Sequence, residues 1–149
     1  MCGAKSKSLI VVSFFLLIAS ASIGQSQPRP ACLSYEPTVV RLTGMLVRQT
    51  FPGPPNYRSV EQGDRPETYW LLDLPTPMCV GEDKADPELN PEQTGIRRIQ
   101  LVLQPEMFAD LRFLVGESVS IEGTIFGAHT GHHHTPILLT VRTLKRVKP

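Results

Sequence analysis

A chain of 149 residues with 41% hydrophobic and 19% charged side chains carries enough apolar material for one core, and it is too short for two large ones. The formal charge is +1 over the whole sequence, and it becomes −1 if Lys5 and Lys7 are removed, with thirteen basic against fourteen acidic side chains remaining. A near-neutral chain lacks the electrostatic footprint that nucleic acid requires, so nucleic-acid binding is excluded as an expectation.

In chain order, Lys5 and Lys7 precede an apolar run from Leu9 to Ile18 and then the small residues Ala19 to Gly24. This is the pattern of a signal peptide over residues 1–24, with cleavage after Ala21 or after Gly24. The run is shorter than the roughly 18 to 20 residues that span a bilayer, so no membrane span is expected after cleavage. The expected location is therefore periplasmic or secreted. Residues 25–31, rich in Gln and Pro, form a flexible lead-in, and residues 32–147 form a single domain. Cleavage removes Cys2 and leaves Cys32 and Cys79, which predicts one disulfide in an oxidising compartment.

Val40, Leu42, Gly44 and Leu46 alternate on one face of a first strand, with a bulge or bend expected at Gly44. The Pro- and Gly-bearing stretch from Phe51 to Glu67 predicts a long irregular connection. Thr68 to Leu74 reads as a second strand stopped by Pro75 and Pro77, followed by a solvated acidic loop containing Asp83, Asp86, Glu88 and Glu92. That loop lacks the order of a calcium-binding loop. Ile96 to Leu103 gives a third strand, with Ile99, Leu101 and Leu103 on one side.

Pro105 and Glu106 suit the first turn of a helix near Glu106 to Val115, with an apolar face of Met107, Phe108, Leu111, Leu114 and Val115 and a stop at Gly116. Glu117 to Phe126 and Ile137 to Val141 alternate as the fourth and fifth strands. The basic tail of Arg142, Lys145, Arg146 and Lys148 reads as a solvated strand end. The predicted core comprises Leu42, Leu46, Trp70 or Leu71, Leu101, Leu111, Ile121, Ile125, Leu139 and Val141.

Five strands with one α-helix between the third and fourth predict a mainly β chain, a small five-stranded barrel like the oligonucleotide/oligosaccharide-binding (OB) fold. A different small barrel or an α+β sandwich accommodates the same elements. In the OB arrangement the loops 51–67 and 127–135 flank the ligand face.

Cys32 to Pro37, Thr50 to Tyr57, Glu67 to Trp70 and His129 to Pro136 carry a resemblance to a bacterial exported domain family of unknown function. The resemblance implies export and one domain; it implies no activity for any residue.

All four histidines fall in His129-Thr130-Gly131-His132-His133-His134. The leading expectation is a non-catalytic binding or inhibitory module for a periplasmic protein, a glycan or a small ligand. Tyr57, Tyr69 and Trp70 would be its stacking surfaces, and His129 and His132 its hydrogen-bond partners. A second expectation is divalent-metal binding by His129, His132 and His134, taking zinc, copper or nickel, with His133 pointing away. No cofactor is required by the first reading. The competing role for the imidazoles is to organise the loops by bonding the backbone of the proline-rich segment. Hydrolysis by Glu67 or Asp73 with a histidine ranks third, because no complete nucleophile motif is present and Ser118 and Ser120 lie on a strand.

Overall fold

The computed structural model describes residues 31–148, so the signal peptide and nearly all of the lead-in lie outside the described residues. The elements are β1 (Val39–Pro52), β2 (Pro66–Val80), β3 (Gln93–Val102), a broken helical segment over 105–114, β4 (Ser118–Gly127) and β5 (Ile137–Arg146). The fold is mainly β, with five strands in one sheet and one short helix.

The hydrogen-bonded order is β1-β2-β3-β5-β4, and β4 also pairs with β1, so the ladder returns to its starting strand. All pairings are antiparallel except β3 with β5, which run parallel through Gln100↔Leu138 to Val102↔Thr140. Alternation along the strands sends Leu46, Leu72, Ile99, Ile121, Ile125, Leu139 and Val141 inward, where they are almost fully shielded from water. Within β4, the register against β5 shifts between Glu122 and Gly123. A Cβ at Gly123 would overlap the Thr140 carbonyl oxygen, so only glycine lets the two backbones come this close.

Every residue of the predicted core is buried except Leu42, which is half-buried and packs against it. Trp70 and Leu71 are both buried. The boundaries differ more. β2 does not stop at Pro75; it continues to Val80, because register shifts between Asp73 and Met78 and between Met78 and Val80 take the two prolines out of the regular ladder. The irregular connection after β1 is shorter than expected, since the strands continue through Thr50↔Thr68 to Pro52↔Pro66. β5 extends through the basic residues to Arg146, with the charged side chains exposed as anticipated.

The helix is the largest correction. In place of one helix over 106–115, there is a 3-10 turn at Pro105–Met107, a single α-turn at Phe108–Leu111 and another 3-10 turn at Arg112–Leu114. Gln104 makes no side-chain cap, and a switch from 3.6 to 3.0 residues per turn breaks up a continuous apolar stripe. Leu111 is buried in the core and Met107 and Leu114 pack against it half-buried, while Phe108 and Val115, assigned to the same face, are exposed. Gly116, with φ at +81°, does end the segment.

Cys32 and Cys79 are bonded, closing a sequence separation of 47 residues. Beside the bridge, the Leu33 amide donates to the Cys79 carbonyl at 2.9 Å and the Gly81 amide to the Leu33 carbonyl at 2.8 Å. The segment before β1 is thereby stitched to the end of β2.

Candidate functional site: a junction of the two long loops

Residues 53–65 join β1 to β2, and residues 128–136 join β4 to β5. Each loop is held from below by one buried polar side chain. Asp64, buried, accepts hydrogen bonds from the amides of Asn56 at 2.8 Å, Arg58 at 2.7 Å and Ser59 at 2.9 Å. These amides hold its carboxyl below the usual carboxylate range, the Arg58 amide contributing most. The loop turns tightly around this carboxylate and carries Tyr57 at φ +56°, a left-handed conformation uncommon for an aromatic residue.

Gln100, also buried, holds the second loop. Its amide nitrogen donates to the His132 carbonyl at 2.9 Å, and its oxygen accepts the His134 amide at 2.8 Å. Thr135 completes the anchor, accepting from the Gln100 amide at 2.9 Å and donating to the Ile137 carbonyl at 2.6 Å. With His133 bonded back to Thr130 at 3.1 Å, successive histidines are directed to different sides of the turn.

His132 goes to the β1–β2 side. Glu67 and Tyr69, two residues apart on β2, share a face there. The Tyr69 hydroxyl donates to Glu67 Oε2 at 2.7 Å, and His132 Nδ1 lies 2.8 Å from the same oxygen. A carboxylate can only accept, so Nδ1 carries a proton, and in the neutral imidazole Nε2 then presents its lone pair. The Tyr57 hydroxyl lies 3.2 Å from Nε2 and donates to it. The Tyr69 hydroxyl and then His132 hold the Glu67 carboxyl below its usual range. Burial, and after it the Glu67 carboxylate, pushes the Tyr69 phenol up.

Beneath this cluster His134 stacks on Phe51, with ring centroids 4.1 Å apart and planes within 2°, and it also touches Tyr69. His134 Nε2 is buried and has no hydrogen-bond partner in the structure. Burial pulls this imidazole below its ordinary 6.5. On the other side of the turn, His129 Nδ1 bonds the Gly127 carbonyl at 3.0 Å, and the His129 amide donates to His133 Nδ1 at 3.0 Å.

The expected metal set of His129, His132 and His134 is therefore not brought together: His132 and His134 lie on the Tyr69 side of the turn, and His129 lies on the other side against His133. Among the described residues no three His, Cys, Asp or Glu side chains are placed to hold one ion. His133 does not stand apart, since its ring packs edge-on against His129 at 4.7 Å. The loop-organising alternative is also altered, because His132 bonds side chains of the first loop and β2, not the proline-rich backbone.

Tyr57, Tyr69 and His132 do meet. Trp70, expected as a stacking surface, points into the core with the Arg48 guanidinium 4.9 Å from its ring centroid, and His129 lies away from the junction. Sequence reasoning missed Asp64, Phe51 and Gln100. None of the three carried a signal, since Gln100 falls on the polar side of the alternation of Ile99, Leu101 and Leu103.

No match was found among curated proteins. Residues 98–145, which include β4, all but the last residue of β5 and the histidine loop but not Tyr57, Glu67 or Tyr69, match the family described as a domain of unknown function (DUF4431).

Proposed function

We propose that this chain is an exported binding module, an OB-like barrel whose ligand face is the junction of the 53–65 and 128–136 loops. The observation that carries the reading is the hydrogen-bonded set Tyr57, His132, Glu67 and Tyr69, which joins residues up to 75 positions apart on one accessible face. The ladder's return to its first strand supports the barrel reading, and the signal-peptide pattern together with the Cys32–Cys79 bridge supports export.

Two buried polar anchors, Asp64 and Gln100, hold these loops in place before any ligand arrives, which lowers the ordering cost of binding. With Glu67 held ionised, the face favours neutral or cationic ligands that offer hydrogen-bond donors, and it disfavours anions.

Chemical-shift mapping with a library of neutral, cationic and anionic fragments tests this reading. Neutral and cationic hits should perturb Tyr57, Glu67, Tyr69 and His132 together, and the Tyr57→Ala substitution should weaken them. Hits that cluster elsewhere, such as the surface around Met45 and Leu74, would overturn it.

A further inference from the structure

We infer that Tyr57 is an activated phenol, able to take an acyl group from activated carboxylic esters. Glu67 Oε2, His132 and the Tyr57 hydroxyl form an unbroken chain of carboxylate, imidazole and hydroxyl at 2.8 and 3.2 Å. A nucleophile within reach of a base that a third group orients is the general signature of covalent catalysis. Glu67 is a positioning residue: it fixes the Nδ1–H tautomer and leaves the Nε2 lone pair facing the phenol. Three further features place the phenol. Asp64 holds Tyr57 in its left-handed conformation, the Gly131 backbone packs against its ring, and the residue is exposed to incoming reagent.

The chain's three tyrosines occupy different settings. The Tyr69 hydroxyl donates its hydrogen bond to Glu67, and burial first, then Glu67, pushes that phenol up. The ring of Tyr35 is buried and its hydroxyl donates to the Pro91 carbonyl at 2.7 Å. The Tyr69 hydroxyl also lies 3.2 Å from His132 Nδ1, but that nitrogen carries the hydrogen it donates to Glu67, so of the three hydroxyls only that of Tyr57 faces an imidazole lone pair.

In the reaction, the Tyr57 hydroxyl oxygen attacks the ester carbonyl carbon while its proton passes to His132 Nε2, and Glu67 stabilises the imidazolium. The ester C–O bond breaks, the leaving oxygen takes the proton from Nε2, and Tyr57 is left as an aryl ester. Water then attacks that ester with His132 again accepting a proton, releasing the carboxylic acid and restoring the phenol.

The probe is p-nitrophenyl acetate, followed by p-nitrophenolate release and by peptide mass mapping of the acetyl group. Tyr57 should be acetylated at least about tenfold faster than Tyr35 and Tyr69, and a base of this kind contributes on the order of a hundredfold. His132→Ala should remove most of that advantage, and added imidazole should restore part of it, which it could not do for a collapsed loop. Glu67→Ala should abolish the single Nδ1–H tautomer in the imidazole 15N spectrum. Acetylation of Tyr57 no faster than that of the other tyrosines, an unchanged rate in His132→Ala, or an acetyl group on His132 instead would each overturn the inference. The comparison among tyrosines uses the unaltered protein, so a misfolded variant cannot obscure it. The fragment map is a separate measurement, and either result can fail alone.

Discussion

Replacing Gln100 with methionine tests how the histidine loop is held. Methionine keeps the length and nearly the volume of glutamine, so the substitution removes hydrogen bonding without opening a large cavity. Two side-chain bonds are lost, one to the His132 carbonyl and one from the His134 amide. Each such bond is worth about 1 kcal/mol net, and a backbone group left dry costs about 1 to 3 kcal/mol. Both loop groups are only partly buried, so water can replace some of what is lost, and the expected destabilisation lies near the low end, about 2 kcal/mol. For a domain of this size that is a fall in Tm of roughly 8 °C. Urea unfolding should show a lower midpoint with an unchanged slope, and amide shifts should move in residues 128–136 and at Tyr57. A loss below about 0.5 kcal/mol, within the range of an ordinary surface substitution, would refute the anchoring role of Gln100.

Three further outcomes follow from the same geometry. Removing the bridge with Cys32→Ser and Cys79→Ser reopens a separation of 47 residues, and chain entropy sets the expected loss at about 4 kcal/mol, measurable by guanidinium unfolding. In Gly131→Ala, the new Cβ would sit 2.9 Å from Cζ of Tyr57; the exposed ring can move aside, so stability should change by less than about 0.5 kcal/mol while Tyr57 ring shifts report its departure from His132. On acidification, the imidazoles of His133 and His134, both lowered chiefly by burial, resist the proton that the unfolded chain accepts; stability should begin to fall as pH drops below 6.5, and fall further below 4.5 as Glu67 is protonated, as followed by Tm against pH.

The strands were legible because burial on one face imposes a period of two on neighbours in sequence, as at Val40, Leu42, Gly44 and Leu46. The helix was misread because Met107, Phe108, Leu111, Leu114 and Val115 satisfy a helical period over a segment that forms only one α-turn. At the site, four clustered histidines drew attention to the right loop, but what each ring does is decided elsewhere. His132 finds Glu67 at a separation of 65 residues and Tyr57 at 75; the pairing of β1 with β2 brings Tyr57 and Glu67 together, and the ladder from β2 through Gln100 of β3 to β5 brings the histidine loop beside them. Clustering in sequence suggested convergence on a metal, whereas the turn held by Gln100 and Thr130 sends His132 and His134 to one side and leaves His129 and His133 on the other.

The central claim is that the two long loops form one face through His132. A solution NOE map, read together with the 15N tautomer of that imidazole, tests it most directly. The account predicts cross-peaks from the Tyr57 ring to Gly131 and His132, together with a single Nδ1–H tautomer held by Glu67. Absence of those cross-peaks, with the imidazole averaging between tautomers as a free side chain does, would contradict it.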